Sequence, residues 1–270
     1  MPSPDERLAA LRSEPSEAGI FCDFDGTLAA IVDDPQQSRP VEGAVDVLAA
    51  LARAYARVGV VSGRPAGFLL RHLGPGPDDA RDLTDAEHGS LLLAGLYGLE
   101  VVRNGEVVAS DEARQWGPVL DEAVARLKDE APEGVSVEGK GFTVVLHFRT
   151  HPELGDEARA LANREAERSD LEVGEGRQSF ELRPPLPTSK GTVVAEAASG
   201  LSAVCFLGDD YGDLTAFDAL DELAESGAAT LRVGVRSEEA PDELLERADL
   251  VVDGPTEVVE LLRSLVPEDE

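Results

Sequence analysis

Four short segments of this chain hold residue types that could do chemistry together. The first is Phe21-Cys22-Asp23-Phe24-Asp25-Gly26-Thr27-Leu28. Two acids two residues apart at the end of a strand point to the same side, and Gly26 lets the backbone turn closely beneath a ligand. The second segment, Ser62-Gly63-Arg64, offers a hydroxyl and backbone amides. The third, Thr188-Ser189-Lys190-Gly191, pairs capping residues with a lysine at a helix start, where anions are favoured. The fourth, Gly208-Asp209-Asp210-Tyr211-Gly212-Asp213, is an acidic loop before another helix. Hard carboxylate oxygens suit Mg²⁺. One hydroxyl and one lysine add donors for phosphate oxygens and positive charge for a transition state. Asp-x-Asp alone also occurs in calcium loops and acidic surfaces. The four segments in this order describe a phosphoryl-transfer site.

Such residues need a scaffold that brings strand ends together, and the pattern supplies one. Apolar runs near 19–24, 58–61, 91–96, 203–207, 231–235 and 250–252 alternate with helical spacing over 41–56, 190–199 and 214–220 and with a last helix after Pro255. Proline at position 65 opens a helix that stops at Gly74, and Asn104-Gly105 marks a two-residue hairpin. The fold class expected is α/β: a doubly wound parallel sheet, Rossmann-like, whose ligands sit at strand ends near the switch in strand order. It is interrupted by a small α+β layer. An amphipathic helix over 112–130, strands near 135–138 and 142–148, a polar helix over 153–168 and a strand near 178–182 form that layer. The expected partition is core over 17–111 and 187–270, with the inserted cap over 112–186. Pro184-Pro185-Leu186-Pro187 reads as a hinge, residues 74–87 as a mobile loop, and the first fifteen or so residues and the last few as frayed ends.

Composition removes several function classes. The 270 residues carry 54 acids against 24 bases, a formal charge of -30. Such a chain lacks the basic face that nucleic acid demands, and an anionic membrane surface would repel it. No apolar run is long enough to span a bilayer, and residues 1–18 lack a basic start followed by an apolar stretch. Two cysteines, Cys22 and Cys205, make no disulfide framework. A cytoplasmic, monomeric protein with a small-molecule partner is expected. Only three bases are lysines, Lys128, Lys140 and Lys190, so each invites a reason for its presence.

The motif set Asp23-Phe24-Asp25-Gly26-Thr27-Leu28, Ser62-Gly63-Arg64, Lys190 and Gly208-Asp209-Asp210 with Asp213 resembles the haloacid dehalogenase (HAD) superfamily of phosphatases. The resemblance implies a nucleophile, Asp23, and a general acid and base, Asp25. It implies Mg²⁺ held by Asp23, the Asp25 carbonyl and Asp209, with Asp210 and Asp213 supporting the metal shell or the lysine. Phosphate would be held by Gly26, Thr27, Ser62, Gly63 and Lys190, with Arg64 at the substrate rim. The insert narrows the resemblance. Glu138-Gly-Lys140 followed by His147-Phe-Arg149, then Arg177-Gln-Ser-Phe-Glu181, together with Ala94-Gly95-Leu96-Tyr97-Gly98-Leu99-Glu100, are similar to segments of the trehalose-6-phosphate phosphatases. In that family the matching positions grip sugar hydroxyls, here Glu138, Lys140, Arg177 and Glu181. The function implied is Mg²⁺-dependent hydrolysis of trehalose 6-phosphate. Another sugar phosphate or a glycosyl-phosphoglycerate is the alternative substrate; a phosphomutase or a non-catalytic receiver-like module are further alternatives. Asp25 and the insert both argue against a receiver module. Gly212 and Leu214 depart from the family's fourth motif, which carries a threonine and a glutamate there, and Arg177 stands where lysine is commoner. Among the remaining cap residues, His147 and Trp116 read as packing, and Arg183 as a partner for an acid near the hinge.

Overall fold

A strand of a parallel sheet is buried on both faces, so its side chains feed two apolar layers in alternation. The computed structural model, which describes residues 2–32, 34–74, 91–176, 178–237 and 240–267, shows this directly. The central strand β1 (Ala18–Cys22) is buried throughout. Its Ile20 and Cys22 enter one apolar cluster and Phe21 the other. The first layer is covered by α1 (Pro4–Ser13), α2 (Ala44–Ala54), α3 (Ala66–Leu73) and α9 (Gly254–Leu265). The opposite layer is covered by α6 (Lys190–Ala197), α7 (Leu214–Glu225) and α8 (Asp242–Arg247).

With β2 (Arg57–Val61), β3 (Leu91–Gly95), β4 (Glu100–Arg103), β5 (Glu106–Ala109), β10 (Ala203–Gly208), β11 (Ala229–Arg236) and β12 (Leu250–Asp253), the sheet runs β12-β11-β10-β1-β2-β3-β4-β5. It is parallel from β12 to β3, and β4 pairs antiparallel to β3. Asn104 and Gly105, with φ of 52° and 72°, make the turn between β4 and β5 that their dipeptide predicts. Chain order steps outward from β1 in one direction to β2 and in the other to β10. The topological switch therefore lies at the carboxyl ends of β1 and β10, where an open α/β sheet binds ligands.

The chain divides into two compact units, Met1–Val108 with Thr188–Glu270, and Ala109–Pro187. The second unit is a four-stranded antiparallel sheet, β6 (Ser136–Gly139), β7 (Val144–His147), β9 (Ser179–Arg183) and β8 (Glu172–Gly176), in the order β6-β7-β9-β8. Helices α4 (Asp111–Glu130) and α5 (Gly155–Ser169) cover one face, packing Leu120, Leu127 and Leu161 on Val144, Leu146, Phe180 and Leu182.

Two expectations need correction. Residues 4–13 are not frayed but form α1. Ser3 and Glu6 close a capping box there, Leu11 is buried, and Arg12 Nε donates to the Ser264 carbonyl at 2.9 Å. The insert also has a fourth strand, β8, whose Glu-Val-Gly-Glu-Gly run carries one β-former and so no strand pattern. It sits at a sheet edge, where charge and glycine are tolerated. Of the loop expected over 74–87, all but Gly74 lies outside the described residues.

Candidate active site

The β1–β10 pairing continues one step past β1, where the Asp23 amide donates to the Leu207 carbonyl at 2.9 Å. Asp23 therefore leaves the sheet beside Asp209, which directly follows β10. The chain then turns tightly, with Leu28 and Ala29 amides donating to the Phe24 carbonyl. Gly26 has φ +77°, and a Cβ there would lie 1.9 Å from Asp209 Oδ2. Only a glycine lets the loop press against that carboxylate.

Lys190, the first residue of α6, is buried and placed by the Ser189–Thr192 capping box. Its Nζ lies 3.0 Å from Asp23 Oδ1, 2.7 Å from Asp213 Oδ1 and 3.2 Å from Asp210 Oδ1. Burial alone would lower its proton affinity, but Asp210, Asp213 and Asp23 outweigh that and hold the ammonium firmly charged. Asp213 uses its other oxygen to accept the amides of Asp209 (2.8 Å) and Asp210 (2.9 Å), so one carboxylate fixes both the lysine and the acidic loop. Gly191 N donates to Thr215 Oγ1, which donates in turn to the Gly212 carbonyl, tying α6 to that loop.

Asp23, Asp210 and Asp213 each offer an oxygen within 4.8 Å of the others. Asp209 instead accepts from Ser237 Oγ at 2.8 Å and Thr27 Oγ1 at 3.4 Å. Burial pushes the Asp23, Asp209 and Asp213 carboxyls above the ordinary range; Lys190 opposes this, and neighbouring acids reinforce it. Three carboxylates thus face one ammonium, and Asp209 stands beside Asp23. This excess of hard oxygen donors, most of them buried, fits a divalent cation such as Mg²⁺.

Arg64, expected at the substrate rim, is bonded to Asp25. Its Nε donates to Asp25 Oδ2 at 2.6 Å and its Nη2 to Asp25 Oδ1 at 2.7 Å, a bidentate clamp. Ser38 Oγ adds a third bond to Oδ1 at 2.9 Å, and the guanidinium lies over the Phe68 ring. Ser62 is buried, and Gly63 follows it. Their turn is braced by Leu96 and Tyr97, whose amides donate to the Arg64 and Ser62 carbonyls at 2.9 and 3.1 Å. Both bracing residues are left-handed, with φ of 48° and 58°, a conformation that costs about 1–2 kcal/mol for each non-glycine residue. A Cβ on Gly63 would meet Tyr97 Oη at 2.7 Å. Glu100 caps α3 by accepting the Ala66 amide at 2.9 Å.

A family model described as trehalose-phosphatase matches residues 21–244. The chain belongs to the trehalose-phosphatase family. Curated trehalose-phosphate phosphatases of Mycobacterium avium and Mycobacterium leprae are 38% and 33% identical to it over 215 and 221 residues. These alignments cover 74% and 76% of this chain and 51% and 48% of those proteins, so the chain spans about half the length of the curated relatives it matches. The C-terminal domain of the Candida albicans trehalose-6-phosphate phosphatase superposes with a TM-score of 0.72 at 22% identity, covering 98% of this chain and 97% of that one. A protein described as related to trehalose-6-phosphate phosphatase gives 0.70 at 22%, with 92% and 96% covered. A phosphatase of the HAD superfamily from Bacteroides thetaiotaomicron shares the fold at 0.52 and 15%, with 94% and 97% covered. Trehalose-phosphatase family membership and the HAD fold are thus shown.

The family's sugar-gripping positions fall on the second unit. Glu138 and Glu181 both lie opposite Val145 in the register, on the sheet face turned away from α4 and α5. His147 shares that face, with Nε2 3.0 Å from Glu138 Oε2. Lys140 is half-buried in the β6–β7 turn, its amide donating to the Thr143 carbonyl at 2.8 Å. Arg177 lies outside the described residues. Sequence reasoning missed Ser38 and Ser237. Ser237 directly follows β11, so the strand-end rule could have found it; Ser38 lies in a loop that no pattern marks.

Proposed function

We propose that the chain is a Mg²⁺-dependent phosphatase that hydrolyses trehalose 6-phosphate to trehalose and phosphate. The observation that carries this reading is the family match over residues 21–244, joined to a buried Asp23–Lys190 pair at the topological switch. Asp23 attacks phosphorus through a carboxylate oxygen, the bond to the sugar oxygen breaks, and Asp25 delivers a proton to that oxygen. Asp25 then takes a proton from water as the water oxygen attacks the aspartyl-phosphate, which frees phosphate and restores Asp23. Lys190 and Ser62 donate to the phosphoryl oxygens, with Gly26, Thr27 and Gly63 lining the phosphate's path. Asp23, the Asp25 carbonyl and Asp209 would hold Mg²⁺, supported by Asp210 and Asp213, and the cation would supply charge that offsets repulsion between the carboxylates and a phosphate dianion. Glu138, Lys140, Arg177 and Glu181 on the insert, residues 112–186, select the sugar through its hydroxyls. Because hydroxyl contacts remote from phosphorus assist only a substrate that has those hydroxyls, the insert sets specificity and the core sets chemistry. A cytoplasmic setting fits the acidic composition, and no helix among the described residues is long and apolar enough to cross a membrane.

Phosphate release measured over trehalose 6-phosphate, sucrose 6-phosphate, glucose 6-phosphate and a glycosyl-phosphoglycerate tests the reading, with Asp23→Asn as the control. Trehalose 6-phosphate is expected to give the highest kcat/KM, chelator to stop turnover, added Mg²⁺ to restore it, and the control to be dead. Preference for another panel member would reassign the substrate, and an active Asp23→Asn would sink the mechanism.

A further inference from the structure

The polar face of the insert's sheet carries two solvent-shielded atoms that make no hydrogen bond among the described residues, Thr143 Oγ1 and Arg183 Nε. Thr143 precedes β7 by one residue. Phe142, Val144 and Leu146 pack with the helix-covered cluster, so alternation turns Thr143, Val145 and His147 to the other face. On the neighbouring strand β9, Phe180 and Leu182 face the helices, and Glu181 and Arg183 do not. The pairs Val144↔Leu182 and Val145↔Glu181 place Thr143 next to Arg183, one step further along the ladder. Thr143 is 1% exposed, yet its Oγ1 has no hydrogen-bond partner among the described residues. Arg183 pairs with an acid, as expected, its Nε lying 3.6 Å from Glu172 Oε2; that separation is beyond hydrogen-bond reach, so the solvent-shielded Nε–H makes no hydrogen bond among the described residues. Buried polar atoms are nearly always satisfied, so two such atoms on neighbouring strand positions call for a ligand group that serves both.

We infer that Thr143 Oγ1 and Arg183 Nε–H form a hydroxyl-recognition pair for the sugar part of the substrate, one rung along from Glu138 and Glu181. One sugar hydroxyl donates to Thr143 and accepts from Arg183, a double role that hydroxyls fill and carboxylates cannot. The surrounding acids, Glu138, Glu172 and Glu181, exclude an anion from the position and favour a neutral, polyhydroxylated group. The inference rests on the sugar-phosphate reading above and adds to it the assignment of specificity to Thr143 and Arg183.

Thr143→Val removes the hydroxyl at nearly constant volume. In the ligand-free protein it removes an unsatisfied buried group, so Tm is expected to stay level or rise. The ratio of kcat/KM for trehalose 6-phosphate over that for an aryl phosphate should meanwhile fall about 5- to 150-fold, and Thr143→Ser should recover most of it. An unchanged ratio, or a fall in Tm with equal losses on both substrates, would overturn the assignment, because Thr143 would then serve only the fold or a bound water. A wild-type enzyme inactive on trehalose 6-phosphate fails the function reading instead. The same ratio, taken on the sugar phosphate it does cleave, still decides the role of Thr143.

Discussion

Asp25 sits in a cradle of three donors, two from Arg64 and one from Ser38. A carboxylate so held has a set orientation, and in the acid and base role proposed for Asp25, reaching both a leaving oxygen and a water depends on orientation more than on strength. Arg64→Ala is therefore expected to lower kcat by up to about 100-fold on sugar and aryl phosphates alike, with little change in KM. Steady-state kinetics on both substrates check this. If Arg64 contacts the sugar instead, KM for the sugar phosphate should rise while aryl phosphate hydrolysis is spared. The acids, the lysine and Ser62 were legible from sequence because each ends a strand or begins a helix, where patterning is strong. The Arg64–Asp25 clamp and the Ser38 contact were not, because they join loops that carry no periodic signal; the Ser237 contact starts from the end of β11, where the strand-end rule could have found it.

At the scale of elements, α4 and α5 are joined by an ion pair between a buried Glu165 and a half-buried Arg126. Arg126 donates to Glu165 at 2.7 Å, and Ser169 Oγ adds a bond at 2.6 Å. Burial would raise the Glu165 carboxyl, but Arg126, Ser169 and Arg168 outweigh it and hold it below the usual 4.5. The sign follows from linkage. The group's stabilisation is complete above the unfolded value of 4.5 and is lost as pH falls through the lower folded value. Arg126→Ala should cost about 1–3 kcal/mol in denaturant unfolding at pH 7, and the gap to the wild-type protein should narrow as pH falls below 4.5. A gap that is constant with pH would mean that Arg126 contributes through packing alone. Elements with clear period were readable in advance, as α4 and the buried β1 and β10 show. The short α8 and the charged, glycine-broken β8 were not, since partners across the structure rather than their own residues sustain them. The helix α1 did carry a signal, Ser3 with Glu6 and a proline at its first position, which proximity to the N-terminus concealed.

For the whole molecule, the formal charge of -30 should oppose the approach of a phosphate dianion. Screening shortens exposed charge effects to about 8 Å at physiological salt. At fixed Mg²⁺, kcat/KM for an aryl phosphate is thus expected to rise as ionic strength increases from about 0.01 M to about 0.15 M. A steady fall over that range would show that local positive potential at Lys190 governs encounter. The strand pairing also has a consequence in time. Ala18 pairs with Ala203, so the sheet's central seam closes only after the insert has been synthesised, and Asp23 meets Lys190 and Asp213 no sooner. On the ribosome the insert's own sheet can be complete while β1 still lacks one neighbour, and the nascent half-core presents an apolar edge to its surroundings. Truncations that end between residues 188 and 202 should therefore aggregate, not persist as inactive soluble fragments.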